Sequence, residues 1–390
     1  VRHRVPRVPL VALALLACGE ADAAIDCPAA AEGVRVAASG GAGQWDTRPH
    51  FEELWRVGGL REGQELAGPA PPALGRTGRL AIPDFQLSEV VVVEPDGAWR
   101  RLPLARGAGP GELTAPVAAG WSEAGELAVL DAGAPKVLFY SPDFAFVREQ
   151  PLAAAFIAPV YASGEVLWAG LAGDGTAYIQ GGLQPTGDPA ARRAAITRLR
   201  PGAGFVDTIA TGTVPTVGAD DVQGWAVAGW PRPLAALASD GRYAVAGSDA
   251  EYRVVVHDAD GAPRLQICRP HSAGRTVAQP DPPADLARLA AALAGAPRPD
   301  RVAPFGRMLY GADGRLWVQR QLPPELPDGH SLLFGAAGAT HDVFAADGAW
   351  LGEATLPPRA RLVGANGDTV WTFETGDLDE IEVVAYRMVK

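Results

Sequence analysis

The side chains able to do chemistry in this chain are few and far apart. There are three cysteines, Cys18, Cys27 and Cys268, and six histidines among 390 residues. No two cysteines stand at the close spacing of a zinc site. The patterns G-x-S-x-G, H-E-x-x-H and C-x-x-C, which would mark a nucleophile elbow, a zinc-protease helix or a dithiol centre, do not occur. The stretch Gly107–Gly111 has the composition of a phosphate cradle, but no strand-to-helix step follows it, so it reads as a tight crossing between elements. What remains is a set suited to binding: Arg106 and Glu112 beside that stretch, then Trp225, Trp230 and Arg232, then Arg269, His271 and His330. Arginine offers a planar fork for carboxylates, tryptophan a flat apolar face, and histidine a proton site near neutral pH. Each also has a plainer use: tryptophan as packing between sheets, arginine in surface ion pairs, histidine as a solvated loop residue.

These residues lie between segments of a repeat, and the repeat must position them. Six glycine-led segments recur: Gly78-Arg-Leu-Ala-Ile-Pro-Asp84, Gly125-Glu-Leu-Ala-Val-Leu-Asp131, Gly175-Thr-Ala-Tyr-Ile-Gln180, Gly241-Arg-Tyr-Ala-Val-Ala246, Gly314-Arg-Leu-Trp-Val-Gln319 and Gly367-Asp-Thr-Val-Trp-Thr-Phe373. Each is a turn glycine, a polar residue and an apolar strand core. A second repeat, as in Val90–Gly97, Arg253–Gly261 and His341–Gly348, reads as a strand ending in an Asp-Gly hairpin turn. The six glycines are 47, 50, 66, 73 and 53 residues apart. One four-stranded blade takes roughly 40–50 residues, so the long gaps hold insertions and not a seventh blade. The prediction is an all-β, six-bladed β-propeller of four-stranded antiparallel blades over residues 51–390. The last blade runs out of chain after its third strand, so the stretch around Trp55-Arg-Val57 should supply its fourth.

Blade 2 carries a recognisable pattern: Gly107–Pro116, then Val117-Ala-Ala-Gly-Trp121, Gly125–Asp131 and Lys136-Val-Leu-Phe-Tyr140. It resembles the NHL repeat, with its glycine-rich lead, proline, inner strand and aspartate-terminated second strand. The whole chain resembles six-bladed, NHL-like propellers of the bacterial envelope. The terminal aspartate is missing from blades 3 to 6, which loosens any carry-over of function. Lactonases of the gluconolactonase type resemble this shape and hold a metal with several asparagines, whereas Asn366 is the one asparagine here. NHL-like amidating lyases hold a central zinc with histidines. Here His257 falls within a strand, His50 precedes the ring, and only His271, His330 and His341 could approach the channel mouth.

Ahead of the ring, residues 1–17 read as an export signal. Arg2, Arg4 and Arg7 precede the ten apolar residues Val8–Ala17, too few to span a bilayer. Leu15-Leu-Ala-Cys18 resembles the lipobox of bacterial lipoproteins, which implies acylation of Cys18. Ala21-Asp-Ala23 is a competing cleavage pattern. The lipobox is preferred because Cys18 directly follows the apolar run. Residues 18–50, rich in Ala and Gly, read as a flexible tether. In an oxidising compartment Cys27 and Cys268 could form a disulfide; the alternative is two separate thiols.

Loss of the leader takes the formal charge from -11 to -14. Such an acidic chain is poorly suited to nucleic acid, whose affinity rests on phosphate neutralisation. The longest connections, 181–194, 210–232, 269–306 and 320–331, join second strands to third strands or one blade to the next. In a propeller both classes emerge at the same end. That end is the expected binding face. Asp281 as cap, then Pro282–Ala294 with Leu286, Leu289 and Leu293 on one side, read as a short inserted helix. The functional expectation is a non-catalytic module binding an extracytoplasmic peptide, protein, glycan or small molecule, with membrane contact by lipid anchor only. A hydrolase or lyase with a metal-assisted site at the channel mouth is the alternative. No cofactor is expected, with a channel-mouth metal left open.

Overall fold

All six turn glycines sit at positive φ, from 59° at Gly367 to 87° at Gly175. L-residues with a Cβ avoid this region, so glycine there lets the chain reverse within two residues. Each reversal starts a second strand beside an inner one and so founds a blade. The computed structural model describes residues 27–152, 168–180, 184–185, 191–202, 204–215, 233–247, 251–270, 304–320 and 336–390. It contains six antiparallel four-stranded blades arranged in a ring.

Blade 1 comprises Ala73–Leu74, Leu80–Asp84, Glu89–Val93 and Trp99–Arg101, from the axis outward. Blade 2 comprises Pro116–Trp121, Leu127–Asp131, Lys136–Tyr140 and Phe146–Pro151. Blade 3 follows with Trp168–Leu171, Ala177–Gln180, Ala191–Arg200 and Gly204–Pro215, and blade 4 with Leu234–Leu237, Tyr243–Ala246, Arg253–His257 and Pro263–Cys268. Blade 5 is Phe305–Tyr310, Leu316–Arg320, Thr340–Phe344 and Trp350–Thr355. Blade 6 is Ala360–Asn366, Thr369–Thr375 and Ile381–Val389, closed by His50–Gly58, which pairs antiparallel with Ile381–Val389. The chain therefore shuts its own ring, with the strand around Trp55 in the place its sequence predicts.

Apolar side chains from facing blades mesh at all six seams. Ile82 and Val91 of blade 1 meet Val383 and Phe373 of blade 6. Leu130 and Phe139 of blade 2 meet Ile179 and Leu199 of blade 3. Phe344 and Val318 of blade 5 meet Val254 and Ile267 of blade 4. The seam between blades 3 and 4 is built around the ring pair Tyr178–Tyr243, with centroids 5.5 Å apart. Burial is two-sided, so strands such as Glu89–Val93 read as unbroken apolar runs without alternation.

Two features differ from the sequence reading. Residues 191–194 and 210–215, read as loop, form the far part of a hairpin in which Ala191 pairs with Pro215 and Ile196 with Ala210. Ala-rich sequence gave no strand alternation there, and cross-strand pairing supplies the order instead. Residues 27–49 also follow a defined course. Arg35–Ala38 adds a fifth strand to blade 4, parallel to Leu265–Cys268, and Cys27 is joined to Cys268 by a disulfide. A free tether does not describe that stretch. Residues 282–294, for which the sequence predicts a helix, and residues 1–26, with Cys18 and the expected leader, lie outside the described residues.

Candidate functional site

The blade plan fixes which end of the ring is elaborated. Turns between first and second strands, such as Ser122–Glu126, and between third and fourth strands, such as Asp258–Ala262, are five-residue reversals at one end. The flanks of the long connections are Gln180, Pro215, Cys268 and Arg320, and all four end strands that run toward the other end. Exposed Leu60 and Leu378 stand at that second end on blade 6.

At the axis, inner strands of all six blades line a cavity of about 100 Å³. Its wall mixes small residues, among them Ala119, Gly120, Gly170, Ala236 and Gly364, with larger ones such as Trp121, Arg307, Met308 and Tyr310. Sites for small organic ligands run to roughly 300–1,000 Å³, so this space suits a few waters. Gly120 shows how tight the wall is: a Cβ there would stand 2.1 Å from the Leu171 carbonyl oxygen of the next blade. Arg307, from the inner strand of blade 5, donates from Nη1 to the Leu362 carbonyl of blade 6, and desolvation pushes its pKa down to about 10. Among the described residues, no group of three or more His, Cys, Asp or Glu side chains is gathered as a metal site.

The densest charge cluster lies at the seam of blades 4 and 5. Asp342 is fully buried on the third strand of blade 5. It accepts from Arg320 Nε and Nη2, both at 2.9 Å, from the Tyr252 hydroxyl at 2.9 Å and from Trp350 Nε1 at 3.1 Å. Arg269 Nε stands 3.5 Å from the same carboxylate, and its guanidinium lies 3.4 Å from the centre of the Trp350 ring. Glu353 on the neighbouring strand takes Arg320 Nη2 at 2.7 Å and Arg48 at 2.9 Å. Burial, helped by the neighbouring Asp342 carboxylate, holds the Tyr252 phenol well above the usual range, so it stays a donor. The arrangement is an ion network that ties blade 4 to blade 5, with Arg269 Nη1 the one of its buried nitrogens that has no hydrogen-bond partner among the described residues.

The candidate residues distribute as follows. Arg106 is exposed and pairs through its backbone with Leu113. Glu112 turns back into its own loop and accepts from the Gly109 N–H at 2.8 Å. That loop is clamped from outside: Lys136 Nζ donates to the Gly109 carbonyl at 2.7 Å and to Glu149 at 3.0 Å, and Glu149 accepts from the Gly111 N–H. Because Glu149 belongs to the outermost strand, Arg106 and Glu112 sit at the rim of blade 2 and away from the channel mouth. Arg269 is likewise at the rim, because a connection between blades starts on an outermost strand. Trp225, Trp230, Arg232, His271 and His330 lie outside the described residues. His341 does not approach the channel mouth: it is buried between blades 5 and 6, with Nδ1 3.2 Å from the Ala339 carbonyl.

Two residue groups escaped the sequence reading. Asp342 stands opposite Val318 in the register where blades 1 and 2 place Val91 and Leu138. A charged residue in a third strand whose counterparts are apolar was the available signal. Asp84 and Asp131, visible as repeat features, prove to be clamps. Asp131 accepts from the backbone of Thr114, Ala115, Gly133 and Ala134, and Asp84 from Ala67, Gly68, Gln86 and Leu87.

No protein-family model matches the chain, and no curated protein matches it. Similar solved structures include a member of the DUF4221 family from Bacteroides vulgatus, at 11% identity over 88% of this chain and 99% of that one, TM-score 0.49. A gluconolactonase from Xanthomonas campestris is 13% identical over 88% of this chain and 97% of that one, TM-score 0.37. Virginiamycin B lyase from Staphylococcus aureus is 12% identical over 87% of this chain and 100% of that one, TM-score 0.38.

Proposed function

We propose that this protein is an exported, lipid-anchored β-propeller that serves as a non-catalytic binding module. Its ligand would be an extracytoplasmic peptide, protein, glycan or small molecule held on the elaborated end of the ring. One observation carries this reading: the strands that lead into the four long connections run to a single end, while the axis behind them encloses only about 100 Å³. Binding surface then belongs on the end and not in the channel. Export is supported by the basic and apolar leader of residues 1–17, with Cys18 as the acylated residue. A disulfide between Cys27 and Cys268 suits an oxidising compartment. The mature charge of -14 disfavours nucleic acid as a partner.

A photo-crosslinker at Leu378, on the elaborated end, and another at Asp260, on the opposite end, test the reading in the producing cell. Ligand should be trapped from Leu378 and not from Asp260; the reverse pattern refutes it. Stoichiometric zinc or calcium in purified protein, together with hydrolase or lyase turnover, would replace binding with catalysis. Detergent partitioning of Cys18→Ser tests the anchor separately, and unchanged membrane association defeats that part.

A further inference from the structure

Residues 27–49 cross the outer edges of blades 4 and 5, and their hold is uneven. From Trp45 onward the segment is well fixed. Trp45 N–H donates to the Leu351 carbonyl at 2.8 Å, its indole packs against the seam of blades 5 and 6, and Arg48 pairs with Glu353. Upstream, Arg35–Ala38 forms a parallel ladder with Leu265–Cys268. Arg35, Val36 and Ala38 are exposed and only Ala37 is half-buried, so the strand buries little apolar surface. Among the described residues, side-chain hydrogen bonds to this stretch come from Arg35 Nη2 on the Asp347 carbonyl and from Gln266 Nε2 on the Pro28 carbonyl and Cys27 Sγ. A four-residue edge ladder with one small inward side chain is weak alone. The covalent link from Cys27 to Cys268 keeps it at high local concentration.

The register is also specified. Gly348 holds φ of 84°, and a Cβ on it would stand 2.9 Å from both Ala37 Cβ and a Leu265 methyl. Glycine on blade 5 and alanine on the strap are matched, and the outer edge of blade 4 lies beneath. A groove of about 380 Å³ runs between residues 37–44 and Trp350, so the strap is one of its walls.

We infer that residues 27–44 are a redox-controlled strap: the Cys27–Cys268 disulfide keeps the outer edge of blade 4 covered, and its reduction uncovers Pro263–Cys268. The reductant is a dithiol. One thiolate attacks Cys27 Sγ, which is half-buried where Cys268 is buried, and forms a mixed disulfide as the Cys268 sulfur leaves with the bonding pair. Gln266 Nε2 stands 3.3 Å from Cys27 Sγ and 3.6 Å from Cys268 Sγ, so it borders both sulfurs and can donate to the one that leaves as thiolate. The second thiol of the reductant then displaces Cys27. Two electrons and two protons end on the protein as two thiols, and the reductant leaves as its own disulfide.

Hydrogen exchange with mass spectrometry on the full chain, with and without dithiothreitol, decides the matter. On complete reduction, verified by counting thiols, amides of residues 35–38 and 263–268 should exchange at least ~10-fold faster while those of Leu127–Asp131 keep their protection. Ala37→Leu, which leaves the disulfide in place, should loosen residues 35–38 without reductant. Unchanged protection at 35–38 after reduction overturns the inference, because the ladder then stands alone. A loss of protection throughout the ring overturns it too, because the disulfide would then hold the ring and not a strap.

Discussion

His341 is a titratable group placed where it cannot remain charged. It is buried at the seam of blades 5 and 6, and desolvation, aided by the nearby Arg307 guanidinium, pulls its pKa down to about 4 from an ordinary 6.5. Its neighbour Asp342 points to the opposite seam and is paired there with Arg320, Arg269, Tyr252 and Trp350. Adjacent residues of one strand thus face different seams and meet burial in different ways, one by neutrality and one by pairing. The histidine has a pH consequence whose sign is fixed. Its folded pKa lies below its unfolded one, so the unfolded chain binds the extra proton first. Stability contributed by the neutral ring is whole above about pH 6.5 and falls as the pH drops toward about 4, below which the loss levels off. The full span is worth about 3 kcal/mol. Urea unfolding of wild type and His341→Gln between pH 7 and 4 measures it, and the variant should show a flatter profile over that window.

At the scale of elements, the aspartate that ends the second strand in blades 1 and 2 is a clamp between two connections. Asp131 gathers N–H groups from the entry to its own blade, Thr114 and Ala115, and from the turn after it, Gly133 and Ala134. Asp131→Ala leaves these donors without their acceptor, at a cost of about 3 kcal/mol, whereas Asp131→Asn keeps one oxygen and should lose less. Thermal or urea unfolding ranks the two, and faster amide exchange at Ala115 would localise the effect. The later blades join their connections by other means: Gln180 donates to the Pro233 carbonyl, and Gln319 accepts from the Ala336 N–H. In blade 5 the position of the terminal aspartate is Arg320, which turns to Asp342. These substitutions explain why the ring was legible in the sequence while the charge network was not. Turn glycines and apolar strand cores are local signals, set by backbone sterics and two-sided burial. The pairing of Arg320 with Asp342 is set by strand register within blade 5, and that of Arg269 with Asp342 and Trp350 by which blades meet; nothing in Arg269 or Asp342 alone names a partner 73 residues away. The strap was hidden for a similar reason: Arg35–Ala38 is mostly exposed and carries no alternation, so its order comes from Leu265–Cys268 and a disulfide.

For the whole molecule, the decisive joint is where the two ends of the ring sequence meet. His50–Gly58 belongs to blade 6 by pairing, yet its Trp55 reaches across to blade 1. The indole Nε1 donates to the Pro95 carbonyl at 2.9 Å, and the ring lies over Gly97, where a Cβ would approach it to 3.1 Å. Gly97, at φ of 87°, therefore serves the hairpin turn and the closure together. Arg56 on the same strand binds Glu53, Glu374 and Glu382, which lock it to the second and third strands of its blade. A ring closed this way has no blade whose loss leaves its neighbours' seams intact, so strain at the joint should be felt everywhere. Trp55→Ala removes a partly buried indole and should cost about 2–3 kcal/mol, at the lower end for a large-to-small change because the site is half-exposed. The telling measurement uses two reporters, one label on blade 3 and one on blade 6, followed through urea unfolding. Both midpoints should fall together, as a single cooperative transition requires. If blade 6 moved alone while blade 3 kept its wild-type midpoint, closure would be a local fastening, and the elaborated end would be carried by blades that open independently.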